Sequence, residues 1–252
     1  EFLFLFLPLS LCLYFVLPRR WRNLSLLVSG LVFYAFGEIG ALPVMLLSIA
    51  LNYAFALILQ KLRGKRSASR GVLAVAVAYN IGQLVYFKLQ TLSELPIGIS
   101  FYTFQAMSYV IDVYRNPEEA SKSFAKVLLY ISFFPQLVAG PIERSKNLIH
   151  QLKENHSFNW QKVKSGLLLM LWGFFQKLVI ADRAAIAVNT VYNNHSEFGG
   201  TQIAVATILF ALQIYCDFSS YTDIARGASR IMGIELMENF NVPYCATSIK
   251  DF

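Results

Sequence analysis

Residues 42–59, LPVMLLSIALNYAFALIL, form an apolar run without a single charged side chain. About 20 such residues cross the hydrocarbon core of a bilayer as a helix, fewer where flanking side chains snorkel. A backbone in lipid must satisfy its own hydrogen bonds, which leaves helices or a closed barrel. Barrel strands alternate apolar and polar residues over about 10 positions, and this run does not. It reads as a transmembrane helix.

The same pattern continues on both sides. Phe2–Leu17, Leu24–Phe36, Val72–Phe87, Ile97–Val113, Val127–Ala139, Gly166–Ile180 and Ile203–Phe218 are further candidate spans. The predicted fold is all-α, a polytopic transmembrane helical bundle. Composition agrees: 56% of residues are hydrophobic and 15% charged, whereas soluble domains run to roughly 45–50% apolar and about 25% charged. Too little polar surface remains to cover a soluble globule.

The basic residues order the spans. Arg19, Arg20 and Arg22 follow the first span, Lys61, Arg63, Lys65, Arg66 and Arg70 the third, and Arg115, Lys122 and Lys126 the fifth. The loop after the second span carries Glu38 and no Lys or Arg. The basic loops are therefore cytoplasmic, and the net charge of +7 reflects topology rather than nucleic-acid binding. The segment after span six (Arg144, Lys146, Lys153, Lys162, Lys164) is basic too, which strict alternation forbids. Span six contains Pro135, and Gly140-Pro141 follows it directly. It is predicted to be a re-entrant or broken helix, surrounded by protein or a water-filled cavity.

Polar residues inside such spans are the candidates for function. Ser100, Tyr102 and Gln105 follow the bend at Pro96 and Gly98, where interhelical hydrogen bonding is the alternative role. Lys177 lies near Asp182 and Arg183; it can serve function, snorkel, or pair with a carboxylate. Gln213, Tyr215, Asp217, Ser219, Tyr221 and Asp223 form the densest cluster, at the end of the eighth span. Gln213, Asp217 and Tyr221 are spaced to share one helix face. They fit a cavity wall better than a surface cap. Asn239 and Asn241 follow Ile231–Met237, which reads as a short amphipathic helix at the interface; turn formation before Pro243 is their alternative role. Cys12, Cys216 and Cys245 are isolated and suggest neither a disulfide framework nor a metal site. His150, His156 and His195 sit in polar stretches, each read as solvated rather than catalytic. A transporter or channel using Lys177, Asp217 and Asp223 is the rival class, although no internal repeat accompanies them.

Several of these motifs resemble the membrane-bound O-acyltransferase family. They are Pro96–Gln105, Ser108–Arg115, Phe134–Ile142, Lys177–Arg183, Gln213–Gly227 and Glu238–Tyr244, in order along nearly the whole chain. The pattern looks like the bacterial branch that holds alginate O-acetylation and lipoteichoic acid D-alanylation proteins. The runs at 213–227 and 238–244 look nearer to the alginate type. Gln176 stands where similar proteins often carry Lys. The resemblance implies one membrane-embedded acyltransferase domain over 1–252, in the bacterial cytoplasmic membrane. It implies transfer of an acyl group, most simply acetyl, to hydroxyls of an extracytoplasmic polysaccharide. It implies an acyl donor as substrate, acetyl-CoA or a carrier-bound acyl group, and no bound cofactor. Partner proteins of an acetylation machinery would present the acceptor; no nucleic acid is expected. The family's catalytic His belongs to a Trp-Arg-Arg-Trp-His-like motif that would begin just past Phe252. Both ends of the chain look like cuts, so these residues are expected to be the N-terminal portion of a longer enzyme, inactive alone.

Overall fold

The computed structural model describes residues 2–89, 95–154, 156–240 and 243–248. The fold is 80% helical with no strands among the described residues. The chain divides into two compact units, Glu1–Phe158 with Met232–Ile234, and Asn159–Ile231 with Glu235–Phe252.

The first unit contains α1 (Leu7–Val16), α2 (Arg19–Glu38), α3 (Leu42–Lys61), α4 (Arg66–Leu89), α5 (Ile99–Arg115), α6 (Phe124–Ser132) and α7 (Ser145–Lys153). A π-turn, Phe2–Phe6, precedes α1. Between α2 and α3, Glu38 turns extended (φ −160°) and a 3-10 turn at Ile39–Ala41 starts the return. The second unit contains α8 (Trp160–Phe175), a π-helical segment Gln176–Ala181, α9 (Asp182–Asn193) and α10 (Gly200–Ile231). Among the described residues, four helical stretches are long and apolar enough to cross a membrane: Arg19–Lys61, Arg66–Leu89, Trp160–Asn193 and Gly200–Ile231.

Polar contacts mark the two ends of the first unit. At one end Arg63 pairs with Glu118 at 3.0 Å and Arg144 with Asp112 at 3.0 Å, and Asn23 donates to the Leu152 carbonyl at 2.7 Å. At the other end the Ile97 N–H donates to the Glu38 carboxylate at 3.0 Å. The basic loops therefore share one end, as the charge pattern predicts.

Segment six departs from a simple span. With nine residues, α6 is only roughly 13 Å long, too short to cross. The chain after it is buried but not helical. Pro135 lacks an N–H, and Gly140-Pro141 cannot continue a helix. The Ser132 carbonyl fits against Gly30, midway along α2, where a Cβ would collide with it. The next residues reach Gly98 at the start of α5. Gly98 has φ +70°, and a Cβ there would lie 2.8 Å from the Leu137 oxygen. Arg144 then returns to Asp112 at the opposite end of α5. The segment enters and leaves at the basic end. Side chains satisfy its irregular backbone: Tyr130 OH donates to the Glu143 carbonyl at 2.6 Å, and Gln136 Nε2 to the Tyr130 carbonyl at 2.7 Å.

This topology has a direct check. In a protein whose native cysteines are replaced, Ser67→Cys and Lys153→Cys are expected to react with an impermeant thiol reagent from the same, cytoplasmic face. Labelling from opposite faces contradicts a re-entrant segment six.

Two sequence expectations need correction. The eighth span does not stop at Phe218, because α10 runs unbroken for 32 residues to Ile231. Asp217 is therefore a mid-helix residue. No interfacial helix forms over Ile231–Met237: Gly233 turns at φ +91°, and residues 234–240 are not helical. The carboxylates that follow are tied back instead, Glu235 to Arg230 at 3.0 Å and Glu238 to Arg226 at 3.2 Å.

Candidate functional site

The sequence-predicted residues fall into both units. Ser100, Tyr102 and Gln105 lie on α5 in the first. Ser100 is half-buried, while Tyr102 and Gln105 are buried. Tyr102 meets Tyr34 edge-on, with ring centroids 6.2 Å apart. Gln105 Nε2 and Gln136 Oε1 are buried with no hydrogen-bond partner among the described residues. Both residues line a void of about 10 Å³ beside the break at Gly140, the size of one water. This group is built by α5 and the irregular part of segment six.

Lys177, Gln213, Tyr215, Asp217, Ser219, Tyr221, Asp223 and Asn239 lie in the second unit. Lys177 is its centre. Its ammonium is 2.6 Å from Asp217 Oδ1 and 2.9 Å from Asp182 Oδ1, and 5.5 Å from the Tyr221 ring centre. In an α-helix, Lys177 and Asp182 would point about 140° apart around the axis. The i→i+5 bonding of the π-turn brings them to one side. Asp217 and Tyr221 come from adjacent turns of α10 and present a carboxylate and an aromatic face to the same cation. Gln213 continues that stripe one turn earlier, and its Oε1 is buried without a partner among the described residues. Ser219 is buried and donates to Gln176 Oε1 at 3.3 Å. Lys177 thus pairs with two carboxylates, a far less costly state than an isolated charge in a span.

The remaining members form a neighbouring cluster. Asp223 follows Asp217 by six positions, about 120° around the helix from it. It accepts from Arg226 at 3.2 Å, and Arg226 also reaches Glu238 at 3.2 Å. Tyr215 packs against Phe240 and Tyr244 at 5.9 and 5.8 Å. Asn239 is exposed beside Glu238. Asn241 lies outside the described residues. Among the histidines, His156 contacts the Gln151 carbonyl at 2.8 Å, and His150 and His195 are exposed.

Three polar features were not anticipated from the sequence. Asn52 and Asn80, both fully buried, exchange amide hydrogen bonds at 3.1 and 2.8 Å between α3 and α4. Glu143, four residues past segment six, is buried at 1% exposure. The third is the π-turn that carries Lys177. An Asn inside each of two apolar runs was the available signal for the first. A carboxylate two residues after Gly140-Pro141 was the signal for the second.

Within the second unit, a cation paired with two carboxylates and backed by an aromatic face suits a reaction site inside a membrane. The comparisons agree in kind. Residues 28–252 match the profile of the MBOAT, membrane-bound O-acyltransferase family. The chain is similar to a probable alginate O-acetylase of Pseudomonas aeruginosa, 34% identical over all of this chain and 52% of the relative. It is 31% identical to a peptidoglycan O-acetyltransferase of Helicobacter pylori, again over all of this chain and over 56% of the relative. A teichoic acid D-alanyltransferase of Bacillus subtilis is 27% identical over 62% of this chain and 40% of its own length. The chain spans about half the length of the curated relatives it matches over its whole extent. On the extent of the profile match and 34% identity over its whole length, the chain belongs to the membrane-bound O-acyltransferase family.

Proposed function

We propose that the protein carrying this chain is an O-acyltransferase of the bacterial cytoplasmic membrane. It moves an acyl group, most simply acetyl, from a donor on the basic face to hydroxyls of an extracytoplasmic polysaccharide. The observation that carries this reading is identity of 31–34% with O-acetyl-transferring relatives along the whole chain. The donor is acetyl-CoA or a carrier-bound acyl group, and partner proteins present the acceptor.

In the reaction, the acceptor hydroxyl oxygen attacks the acyl carbonyl carbon and loses its proton. The bond from the acyl carbon to the donor breaks, and the leaving group takes up a proton. The family resemblance puts the histidine that manages these protons beyond Phe252. A placed general base is typically worth ~10²–10⁴-fold. The part assigned to this chain is to hold charge in place. Lys177 occupies one oxygen of Asp217, Oδ1, which leaves Oδ2 to accept from another donor, such as an imidazole N–H. A carboxylate in that role sets the tautomer and orientation of the ring. Gln213, Ser219 and Tyr221 are assigned to the wall of the substrate path beside Lys177 in the second unit, and Ser100, Tyr102 and Gln105 to a supporting polar group within the first.

The transporter reading is not favoured, because the charges it would use are neutralised in pairs: Lys177 with Asp182 and Asp217, Asp223 with Arg226. Mass spectrometry of surface polysaccharides from a deletion strain separates the two. Acyl transfer predicts normal polysaccharide lacking its esters. Loss of the polysaccharide itself from the surface would point to export instead.

A further inference from the structure

The basic end of the first unit holds a groove and a cleft that share two lysines. The groove, of about 490 Å³, is lined by Lys122, Lys126, Lys146, His150 and Lys153. The adjoining cleft, of about 220 Å³, is lined by Leu24, Leu27, Leu129, Ile149 and Leu152, and by the same Lys126 and Lys153. Together they offer cations to an anionic group and an aliphatic slot to a chain attached to it.

Charge supports this. None of the four lysines forms an ion pair among the described residues. The groove's two carboxylates are already engaged, Glu118 with Arg63 at 3.0 Å and Glu119 with Asn116 at 3.5 Å. Four lysines against two glutamates leave a formal charge of +2. The first turn of α6 carries no acidic residue, and Ser123 does not cap it. The N–H groups of that turn add positive potential beside Lys122 and Lys126. On α7 one face buries Leu148, Ile149 and Leu152, while Lys146, His150 and Lys153 are exposed. Leucine and isoleucine side chains dominate the cleft, and its polar Asn23 is committed to the Leu152 carbonyl. An acyl chain, which needs no hydrogen bonds, fits such a lining; a chain bearing amides would leave them unsatisfied.

We propose that this groove and cleft bind an anionic phospholipid of the cytoplasmic leaflet, its phosphate among Lys122, Lys126, Lys146 and Lys153 and one acyl chain against Leu27, Leu129 and Leu152. Basic pockets at the cytoplasmic ends of membrane helices recognise such headgroups. The proposal stands apart from the acyl-transfer reading, since it uses none of the residues assigned to that path.

The test is a titration of the purified full chain in neutral detergent with dioctanoyl phosphatidylglycerol, followed by native mass spectrometry. Dioctanoyl phosphatidylcholine, inorganic phosphate and acetyl-CoA serve as comparison ligands. Saturable phosphatidylglycerol binding is expected, with none of phosphatidylcholine and no displacement by phosphate or acetyl-CoA. Lysines near a membrane surface contribute about 1 kcal/mol each, so Lys126→Gln with Lys153→Gln is expected to weaken binding on the order of 30-fold. The control pair Lys61→Gln with Lys65→Gln removes the same charge from the same end and is expected to change it less than about threefold, well under the effect of the first pair. Equal losses in both pairs would reduce the site to diffuse surface charge and overturn the proposal. Displacement by acetyl-CoA would assign the site to a soluble thioester and overturn it as well.

Discussion

Asp217→Asn is expected to cut acyl transfer in the cell by a factor on the order of 10–100, the usual loss when a partner that orients a reacting group is removed, with membrane abundance unchanged. Asparagine keeps the shape of the side chain and one acceptor oxygen, so Lys177 remains contacted there and through Asp182. What disappears is the negative charge offered to a further donor. Glu197, in a 3-10 turn away from that cluster, is the control. Glu197→Gln is expected to leave the rate within about twofold, well short of the effect of a lost orienting partner. Ester content of the polysaccharide, normalised to immunoblotted protein, is the measurement. A similarly mild effect of both substitutions would remove Asp217 from the reaction path.

The second large effect concerns stability. Gly227→Leu is expected to destabilise the second unit by about 3 kcal/mol, the upper part of the range for overpacking. A Cβ on Gly227 would lie 2.5 Å from the Gly166 carbonyl oxygen, and one on Gly166 would lie 2.6 Å from the Gly227 oxygen. One α8 turn-pair further on, a Cβ on Gly173 would be 2.8 Å from the Ser220 oxygen. Small residues thus let α8 and α10 approach backbone to backbone, which is how helices associate where lipid offers no hydrophobic drive. Side chains such as Met170 crowd the same positions, but the main-chain oxygens among the crowding atoms cannot move aside as a side-chain tip can. Gly82 in α4 has open space around it, so Gly82→Leu is the control. Thermal aggregation in detergent should separate the two variants by several degrees. Equal midpoints would show that α8 and α10 are not held by this seam.

Much of the fold was legible because lipid imposes a simple rule. Apolar runs such as residues 42–59 and 72–87 had to be helices, and α3 and α4 contain them. Charge parity plus Pro135 and Gly140-Pro141 were enough to single out segment six as re-entrant. Helix ends were harder to read. The polar residues from Asp217 to Asp223 looked like the end of a span, but α10 continues, because Ser219, Ser220 and Thr222 are buried by packing rather than exposed at an interface. The Asn52–Asn80 pair was missed for a related reason: a single Asn in an apolar run does not reveal that a second one faces it. Within the site, motif reading picked out Lys177 and Asp217 but not their contact. The contact Lys177 also makes with Asp182 depends on a π-turn, and no residue type encodes one plainly. The spacing of Gly166, Gly173 and Gly227 was visible, yet which helix the stripe faced required the structure.

The central claim is that acyl groups pass from the basic face to a polysaccharide on the other side. It is tested most directly with sealed membrane vesicles whose basic face points outward. They are loaded with the unesterified polysaccharide of the deletion strain and given radiolabelled acetyl-CoA with cytosolic extract outside. The account predicts ester-linked label on the enclosed polysaccharide with the wild-type protein, and on the order of 10–100-fold less with Asp217→Asn. Label that reaches the enclosed polysaccharide equally in vesicles lacking the protein would contradict it.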